Sequence, residues 1–240
     1  MCGRASLTKQ EKELEERFKA TFYQEDIARY NPLPSYNVAP TQLHPIIADN
    51  APAQLQLFRW GLIPFWAKDE KIGSKMINAR AETVSEKPAF RQALMHRRCL
   101  VPFDGFYEWM QLPGGKKQPY RITLQDNDIF TIAGLWEEWR SPSDEIIHSF
   151  TVLTIPPNDY MAKIHDRMPA ILHAESEHLW LDPEINPKDL MALLTPYPSE
   201  LMVATPVSNR VNKASENDPG LIVPIGPALR HGETIDLFNS

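Results

Sequence analysis

The sequence predicts an α+β fold: a single domain over residues 1–240, with a mixed or antiparallel, pseudo-barrel-like β core decorated by a few short helices. Runs rich in β-branched and aromatic residues, the composition typical of strands, outnumber the helical patterns. The 22 prolines lie scattered among apolar segments with no low-complexity tract, which favours many short strands and ordered loops. The predicted strands cover residues 54–60, 98–103, 120–124, 129–136, 148–155, 201–207 and 221–225.

Three short segments carry helix signals. A T-x-x-E capping box at Thr8 and Glu11 predicts a helix close to the start of the sequence. The segment 88–98 begins with proline and ends in cationic residues, as helices often do. Asn186 precedes a proline and predicts a third helix over 188–194.

The charge and the cysteine count limit the functional classes. Lys and Arg number 25 and Asp and Glu 31, a net charge of −6, so any nucleic-acid contact must come from a local basic patch. No apolar run is long enough to span a membrane, and no secretory signal is present. Cys2 and Cys99 give neither a disulfide framework nor a zinc site. We therefore expect a reducing compartment, the cytoplasm of a bacterium or the nucleus of a eukaryote, and no metal or cofactor.

Four segments place reactive groups in an apolar context. Residues at alternate positions of an extended chain share a face, so the pairs separated by one residue are expected to point the same way. The members are Asn78 and Arg80 in SKMINARAE, Glu108 in FDGFYEWM, His165 and Arg167 in KIHDRMPAIL, and Trp66 in WGLIPFW.

Each of these residues also has an ordinary structural interpretation. Asn78 is typical of a turn cap, and Glu108 is as compatible with the exposed face of a strand as with catalysis. A lone histidine such as His165 is more often structural than catalytic. Tryptophan is more often a core residue than a binding surface, which is the ordinary interpretation of Trp66. Cys99 is expected to be a buried, inert thiol.

Cys2 directly follows Met1 at the start of the sequence. Residues near a terminus are usually the least ordered, so a packed cysteine is not expected there. Initiator methionine is commonly removed before a small residue, and its removal would leave an α-amine and a thiol on Cys2.

Taken together, these segments resemble the SRAP (SOS response-associated peptidase) family over nearly the whole chain. The resemblance is carried by the ordered set MCGR at 1–4, YNVAP at 36–40, WGLIPFW at 60–66, INAR at 77–80, GFYEW at 105–109, IHDRMP at 164–169 and TPVSNRVN at 205–212. In this family the position after Trp66 often holds a second aromatic residue, whereas this sequence has Ala67.

The resemblance implies recognition of abasic sites in single-stranded DNA, and covalent attachment to them as a thiazolidine through the N-terminal cysteine. A monomeric, thiol-dependent enzyme is expected, of the peptidase, hydrolase or lyase class. The implied catalytic residues are Cys2 as nucleophile, Asn78 as its orienting group, Glu108 as general acid or base, and His165 as a proton-transfer group. The implied DNA contacts are Arg4, Arg80 and Arg167 to phosphates, with Trp66 and the turn from Asn37 to Pro40 as a stacking and wedging surface.

Three alternatives remain open. A cysteine peptidase or amidohydrolase would use Cys2, His165 and Asn78 as nucleophile, base and orienting group, and its activity would include removal of its own N-terminal residue. A noncovalent single-stranded DNA-binding module would leave Cys2 incidental. A structural protein would have no site.

Overall fold

A computed structural model describes residues 2–232 and shows an α+β fold, which confirms the predicted class. The strands are β1 (Ala5–Leu7), β2 (Thr21–Phe22), β3 (Ser35–Val38), β4 (Leu43–Ala48), β5 (Gln54–Trp60), β6 (Asn78–Arg80), β7 (Arg98–Phe103), β8 (Gly105–Gln111), β9 (Lys117–Leu124), β10 (Phe130–Arg140), β11 (Ile146–Ile155), β12 (Met168–Pro169), β13 (Ile171–Leu172) and β14 (Met202–Pro206). The α-helices are α1 (Glu11–Phe18), α2 (Gln24–Arg29), α3 (Arg91–His96), α4 (Glu177–Leu181) and α5 (Pro187–Ala192).

Five strands close into a barrel in the order β11-β10-β7-β4-β5, and β5 returns to pair with β11. The closing pair is parallel, with Ser149 opposite Arg59, whereas the other four pairs are antiparallel. Closure leaves these strands without a free edge on the barrel path. The short strand β6 extends the closing side, because it pairs in parallel with β11 just beyond β5.

A second, antiparallel sheet has the order β14-β9-β8-β1-β3. Its first strand in the sequence, β1, lies between β8 and β3 rather than at an edge. The beginning of the chain is therefore inside a sheet, which the general disorder of termini did not lead us to expect.

The predicted strand over 221–225 is wrong. Residues Pro219–Ile222 form a 3₁₀ turn, whose N-terminal Gly220 N–H donates to the side chain of Asp218. Pro224 makes only an isolated bridge, to Val207. A proline at the first helical position behind an aspartate cap favours the helical turn over the strand that the apolar composition suggested.

The three predicted helices are present as α1, α3 and α5, but the first has a different cap. The carboxylate of Glu13 accepts a hydrogen bond from the backbone N–H of Gln10 at 2.8 Å. Thr8, predicted to cap this helix, instead donates its backbone N–H to Asp104 at 2.7 Å. None of the helices between residues 2 and 232 is long and apolar enough to cross a membrane.

Two glycines allow the WGLIPFW segment to leave the barrel. Gly61 has a φ of +122°, and a Cβ built there would lie 2.6 Å from the carbonyl oxygen of Gly73. The backbone N–H of Gly61 also donates to the carbonyl of Phe150 on β11 at 2.8 Å. A side chain at Gly61 would be both strained and obstructed, so the close approach of the backbone segments at Gly61 and Gly73 requires glycine.

Asp104 holds β1 in its place. This carboxylate is buried and accepts hydrogen bonds from Ser6 Oγ at 2.7 Å and from the Thr8 backbone N–H at 2.7 Å. It also forms an ion pair of 2.9 Å with Arg121 on β9. The Asp104 side chain therefore joins β1 to the β8–β9 hairpin through its bonds to Ser6, Thr8 and Arg121.

Asp104→Ala should lower the free energy of unfolding by about 3 kcal/mol, because it leaves the Arg121 charge without its buried partner. Urea denaturation measures the change. Glu70→Ala breaks the more exposed ion pair with Arg59 and serves as the control, with an expected change below about 1 kcal/mol. Equal losses in the two variants would contradict the role given to Asp104.

Candidate functional site

The β1–β8 ladder brings Cys2 to Glu108. It continues beyond Ala5, because the carbonyl of Arg4 accepts a hydrogen bond from the backbone N–H of Tyr107 at 2.9 Å. The same antiparallel register carries Cys2 alongside the part of β8 that bears Glu108. Both side chains are enclosed, with Cys2 1% and Glu108 2% exposed.

His165 faces the same carboxylate from the loop before β12. Its Nε2 lies 3.7 Å from Oε2 of Glu108. The backbone N–H of Arg167 donates to Nδ1 at 3.1 Å, while Asp166 Oδ1 lies 2.9 Å from the same nitrogen. Nδ1 cannot both accept from Arg167 and donate to Asp166. The Asp166 side chain is 88% exposed and is free to turn into water, so we assign the tautomer that carries its proton on Nε2, towards Glu108.

Burial shifts the proton affinities of all three groups. It raises the pKa of Glu108 to about 7, and the charge of Asp166 adds to the effect. Burial also lowers the pKa of His165. The thiol pKa of Cys2 rises above its ordinary value through burial and, secondly, the neighbouring Glu108 charge. Near neutral pH the site therefore holds a protonated thiol, a neutral imidazole and a carboxyl group that can either give or take a proton.

Asn78 is the first residue of β6, and its side-chain amide is buried without a hydrogen bond to any residue that the structure describes. Its strand is placed by pairing opposite Val152 on β11, and by the Trp60 Nε1–H, which donates to the carbonyl of Ile77 at 2.9 Å. The nitrogen and the oxygen of the Asn78 amide are shielded from solvent, and neither has a hydrogen-bond partner among residues 2–232. Such a group costs stability unless a ligand completes it.

The predicted phosphate-binding arginines differ in availability. Arg80 is exposed at the end of β6. Arg167 forms a bidentate ion pair with Glu82, and its Nη2 donates to the carbonyl of Thr154 at 2.6 Å. A phosphate could reach Arg80 directly, whereas at Arg167 it would have to share or displace Glu82.

Arg4 and Asn37 are joined to each other and to the loop after β14. Nη1 of Arg4 donates to Asn37 Oδ1 at 2.9 Å and to the carbonyl of Val211 at 2.6 Å. The amide nitrogen of Asn37 donates to the carbonyls of Lys213 at 2.9 Å and Glu216 at 2.7 Å. Both side chains support the segment between Cys2 and β1, and a DNA contact through Asn37 would require these bonds to open.

Trp66 is 48% exposed, and its neighbour Phe65, which the sequence analysis did not single out, is 58% exposed. Pro40, by contrast, is half-buried just beyond β3. The two aromatic side chains border different surface grooves. The charged residues of the Trp66 groove are Lys68, Asp69, Lys71 and Lys75, and those of the Phe65 groove are Arg91, Arg97, Glu137 and Glu138.

The structure thus brings Cys2, Glu108 and His165 together, and Asn78 lies on β6, which pairs with β11. Cys99 is fully buried in the barrel, as predicted. Over residues 2–232, no group of three or more His, Cys, Asp or Glu residues is arranged to hold a metal ion. The chemistry available is nucleophilic addition with proton transfer by a carboxyl group and an imidazole.

Sequence comparison identifies relatives over most of the chain. The profile of the SOS response associated peptidase (SRAP) family matches residues 1–214. Abasic site processing protein YoqW of Bacillus subtilis is 47% identical over 224 residues, which cover 92% of this chain and 99% of that protein. Abasic site processing protein HMCES of Xenopus tropicalis is 36% identical over 235 residues, covering 82% of this chain and 69% of that protein. That the domain extends over all of residues 1–240 stays a prediction.

Solved structures show the same fold. A crystal structure of a protein from Bacteroides thetaiotaomicron matches with a TM-score of 0.85 and 34% identity, over 92% of this chain and 98% of the other. A second, from Bordetella bronchiseptica, matches with a TM-score of 0.73 and 28% identity, over 86% of this chain and 100% of the other. The barrel and its accompanying sheet are therefore a shared architecture.

Glu108→Gln should stabilise the protein more at pH 8 than at pH 5. Burial raises the pKa of Glu108 from 4.5 to about 7, so the folded chain binds this proton more tightly than the unfolded chain. The resulting stabilisation is complete below pH 4.5 and is lost as the pH rises through about 7. Glutamine does not ionise and escapes this loss.

Urea denaturation of both proteins at pH 5 and pH 8 measures the difference in the free energy of unfolding. Glu86→Gln makes the same chemical change at an exposed position and provides the control. An effect of Glu108→Gln that does not change with pH would show that the carboxyl group titrates normally.

Proposed function

The chain belongs to the SRAP family, and on this premise we propose that it processes abasic sites in DNA by attaching to them covalently through Cys2. The observation that carries the proposal is the enclosure of Cys2 beside Glu108, which in turn faces His165 at 3.7 Å. Nucleophile, general acid or base, and proton carrier are thereby within one small volume. The names of the relatives supply the substrate, an abasic site.

Hydrolytic removal of Met1 comes first, because it frees the α-amine of Cys2. An α-amine has a pKa of about 7.7–8.0, against about 10.4 for a lysine side chain, so much more of it is neutral near pH 7. The ring-opened abasic sugar presents an aldehyde at C1′. The amine adds to this carbon, and the loss of one water molecule gives an imine.

The thiol of the same residue then makes the product durable. Its sulfur adds to the imine carbon, the thiol proton passes to the nitrogen, and a five-membered thiazolidine forms without any oxidant or reductant. Closure within one residue has a large proximity advantage over attack by a separate thiol. A lysine imine has no such second step, which accounts for a cysteine at this position.

Glu108 and His165 move the protons that these steps require. A carboxyl group with a pKa of about 7 can take the proton of the C1′ hydroxyl during ring opening and protonate the leaving water during imine formation. The Nε2–H of His165 points to Glu108 and can return a proton to it. The unpartnered amide of Asn78 is suited to orient the amine or the sugar.

Single-stranded DNA is the proposed form of the substrate. Arg80 is exposed for a phosphate, and Trp66 borders a groove with three lysines and one aspartate, a locally basic surface on a chain whose net charge is −6. Stacking on an aromatic face and contacts to phosphates read no base edges, so binding should not depend on sequence. We propose that the protein acts as a monomer.

The peptidase alternative receives less support from the electrostatic surroundings of Cys2. A cysteine peptidase needs an activated thiolate, and thiolates form beside cations or helix N-termini. Here burial and the Glu108 charge raise the thiol pKa of Cys2 instead. The cross-linking route does not need a free thiolate, because the amine makes the first attack.

Cys2→Ala should abolish the covalent adduct while retaining noncovalent binding to single-stranded DNA, because it removes only the sulfur that closes the ring. The measurement is a denaturing gel of protein mixed with an oligonucleotide that carries one abasic site, with the removal of Met1 verified by intact mass. Cys99→Ala, which removes the other buried thiol, is the matched control and should cross-link normally. A heat-stable adduct of undiminished amount in Cys2→Ala would refute the mechanism.

Trp66→Ala should weaken noncovalent binding about tenfold for every DNA sequence, since stacking of one base contributes roughly 1–3 kcal/mol. Affinity is measured by fluorescence anisotropy, using a reduced abasic analogue that cannot form an imine. Phe65→Ala removes the neighbouring exposed ring, whose groove contains two glutamates that balance its two arginines, and should cost less. An unchanged affinity in Trp66→Ala would place the DNA elsewhere, and equal losses in both variants would contradict a specific role of Trp66.

A further inference from the structure

We propose that Glu82 is a positioning residue for His165: it anchors Arg167, and the backbone of Arg167 sets the orientation and tautomer of the His165 ring. Nothing in the resemblance to relatives assigns a role to Glu82. The inference rests on the proposed function only in that His165 acts there as a proton carrier.

The first step is the contact between Glu82 and Arg167. Glu82 follows β6 by two residues, and its two carboxylate oxygens accept from the two terminal nitrogens of the Arg167 guanidinium, Nη2 to Oε2 at 2.9 Å. A bidentate pair of this kind fixes orientation as well as distance. The Arg167 side chain is only 12% exposed, so it has little freedom to turn away.

The second step fixes the guanidinium to the barrel. Nη2 of Arg167 also donates to the backbone carbonyl of Thr154 at 2.6 Å. Thr154 lies on β11 and is paired with both β6 and β12, through Arg80 and Pro169. Thr154 thus attaches Arg167 to β11, the strand against which Asn78 is placed, and Glu82 attaches it to the turn after β6.

The third step leads to the imidazole. The backbone N–H of Arg167 donates to Nδ1 of His165 at 3.1 Å, and a ring nitrogen that accepts a hydrogen bond carries no proton. The proton is therefore on Nε2, 3.7 Å from Glu108. Only one residue, Asp166, separates Arg167 from His165, so release of the anchor frees the backbone N–H that selects this tautomer.

A role limited to stability does not explain this arrangement. The Glu82 side chain is 44% exposed, and ion pairs with an exposed partner contribute little to the free energy of unfolding. The pair instead joins the two segments that bear Asn78 and His165. Loss of Glu82 should leave the fold intact and change the conformation of the loop before β12, which carries His165 and Arg167.

The first experiment measures the tautomer without DNA. Long-range ¹H–¹⁵N spectra of the full chain distinguish Nδ1–H from Nε2–H in each histidine, and His165→Gln assigns the signal. In Glu82→Ala the His165 signal should shift from the Nε2–H form to a mixture, whereas Glu86→Ala, an exposed glutamate in the same turn region, should leave it unchanged. An unchanged tautomer in folded Glu82→Ala would overturn the proposal.

The second experiment measures the rate of adduct formation in single-turnover reactions with abasic DNA. Glu82→Ala should lower the rate at saturating DNA about tenfold, part of what a positioned proton-transfer group contributes. The half-saturating DNA concentration should not rise, because a phosphate no longer competes with Glu82 for the Arg167 guanidinium. Glu82→Gln, which keeps one acceptor for Arg167, should recover part of the rate and serves if the alanine variant fails to fold. In an Arg167→Ala background, the Glu82→Ala change should add nothing.

The outcomes separate this proposal from the proposed function. No adduct from the wild-type protein would refute the cross-linking function, and the tautomer measurement would still decide whether Glu82 positions His165. An adduct with the wild-type rate in Glu82→Ala would overturn the positioning role alone. Full additivity of Glu82→Ala and Arg167→Ala would do the same, because it would mean that Glu82 does not act through Arg167.

Discussion

The candidate site depends on the buried carboxylate of Asp104. The first residues of a chain are usually poorly ordered, and a nucleophile there would have no defined neighbours. Asp104 prevents this by binding the start of the chain to the β8–β9 hairpin, through Ser6, Thr8 and Arg121. With β1 fixed inside a sheet, Cys2 can be almost fully enclosed, and the chemistry at Glu108 follows from that enclosure.

Burial has two effects on the polar groups of this site. It raises the pKa of Glu108 towards neutrality, which makes the carboxyl group useful in proton transfer, and it leaves the Asn78 amide without partners. Both effects lower the stability of the folded chain. Polar groups of this kind persist where a ligand completes them, and the barrel supplies the stability that offsets them.

The sequence was informative about the site and less so about its support. Cys2, Glu108 and His165 could be proposed together because the short motifs that carry them resemble the SRAP family, and the structure brings them together. The link from Arg4 to Val211 joins residues 207 positions apart, and no local pattern reports such a contact. The fold class followed from composition. The apolar composition of residues 221–225 predicted a strand, however, whereas the Asp218 cap makes Pro219–Ile222 a 3₁₀ turn.

The position of β1 also has a mechanical consequence. A DNA strand attached at Cys2 would pull along the axis of a strand bonded to neighbours on both sides, β8 and β3. Inter-strand hydrogen bonds lie across that axis, so a pull along it loads them together in shear instead of opening them one after another. A polymerase or helicase that met such an adduct would therefore act against the whole sheet, and the attachment point would resist unravelling under tension.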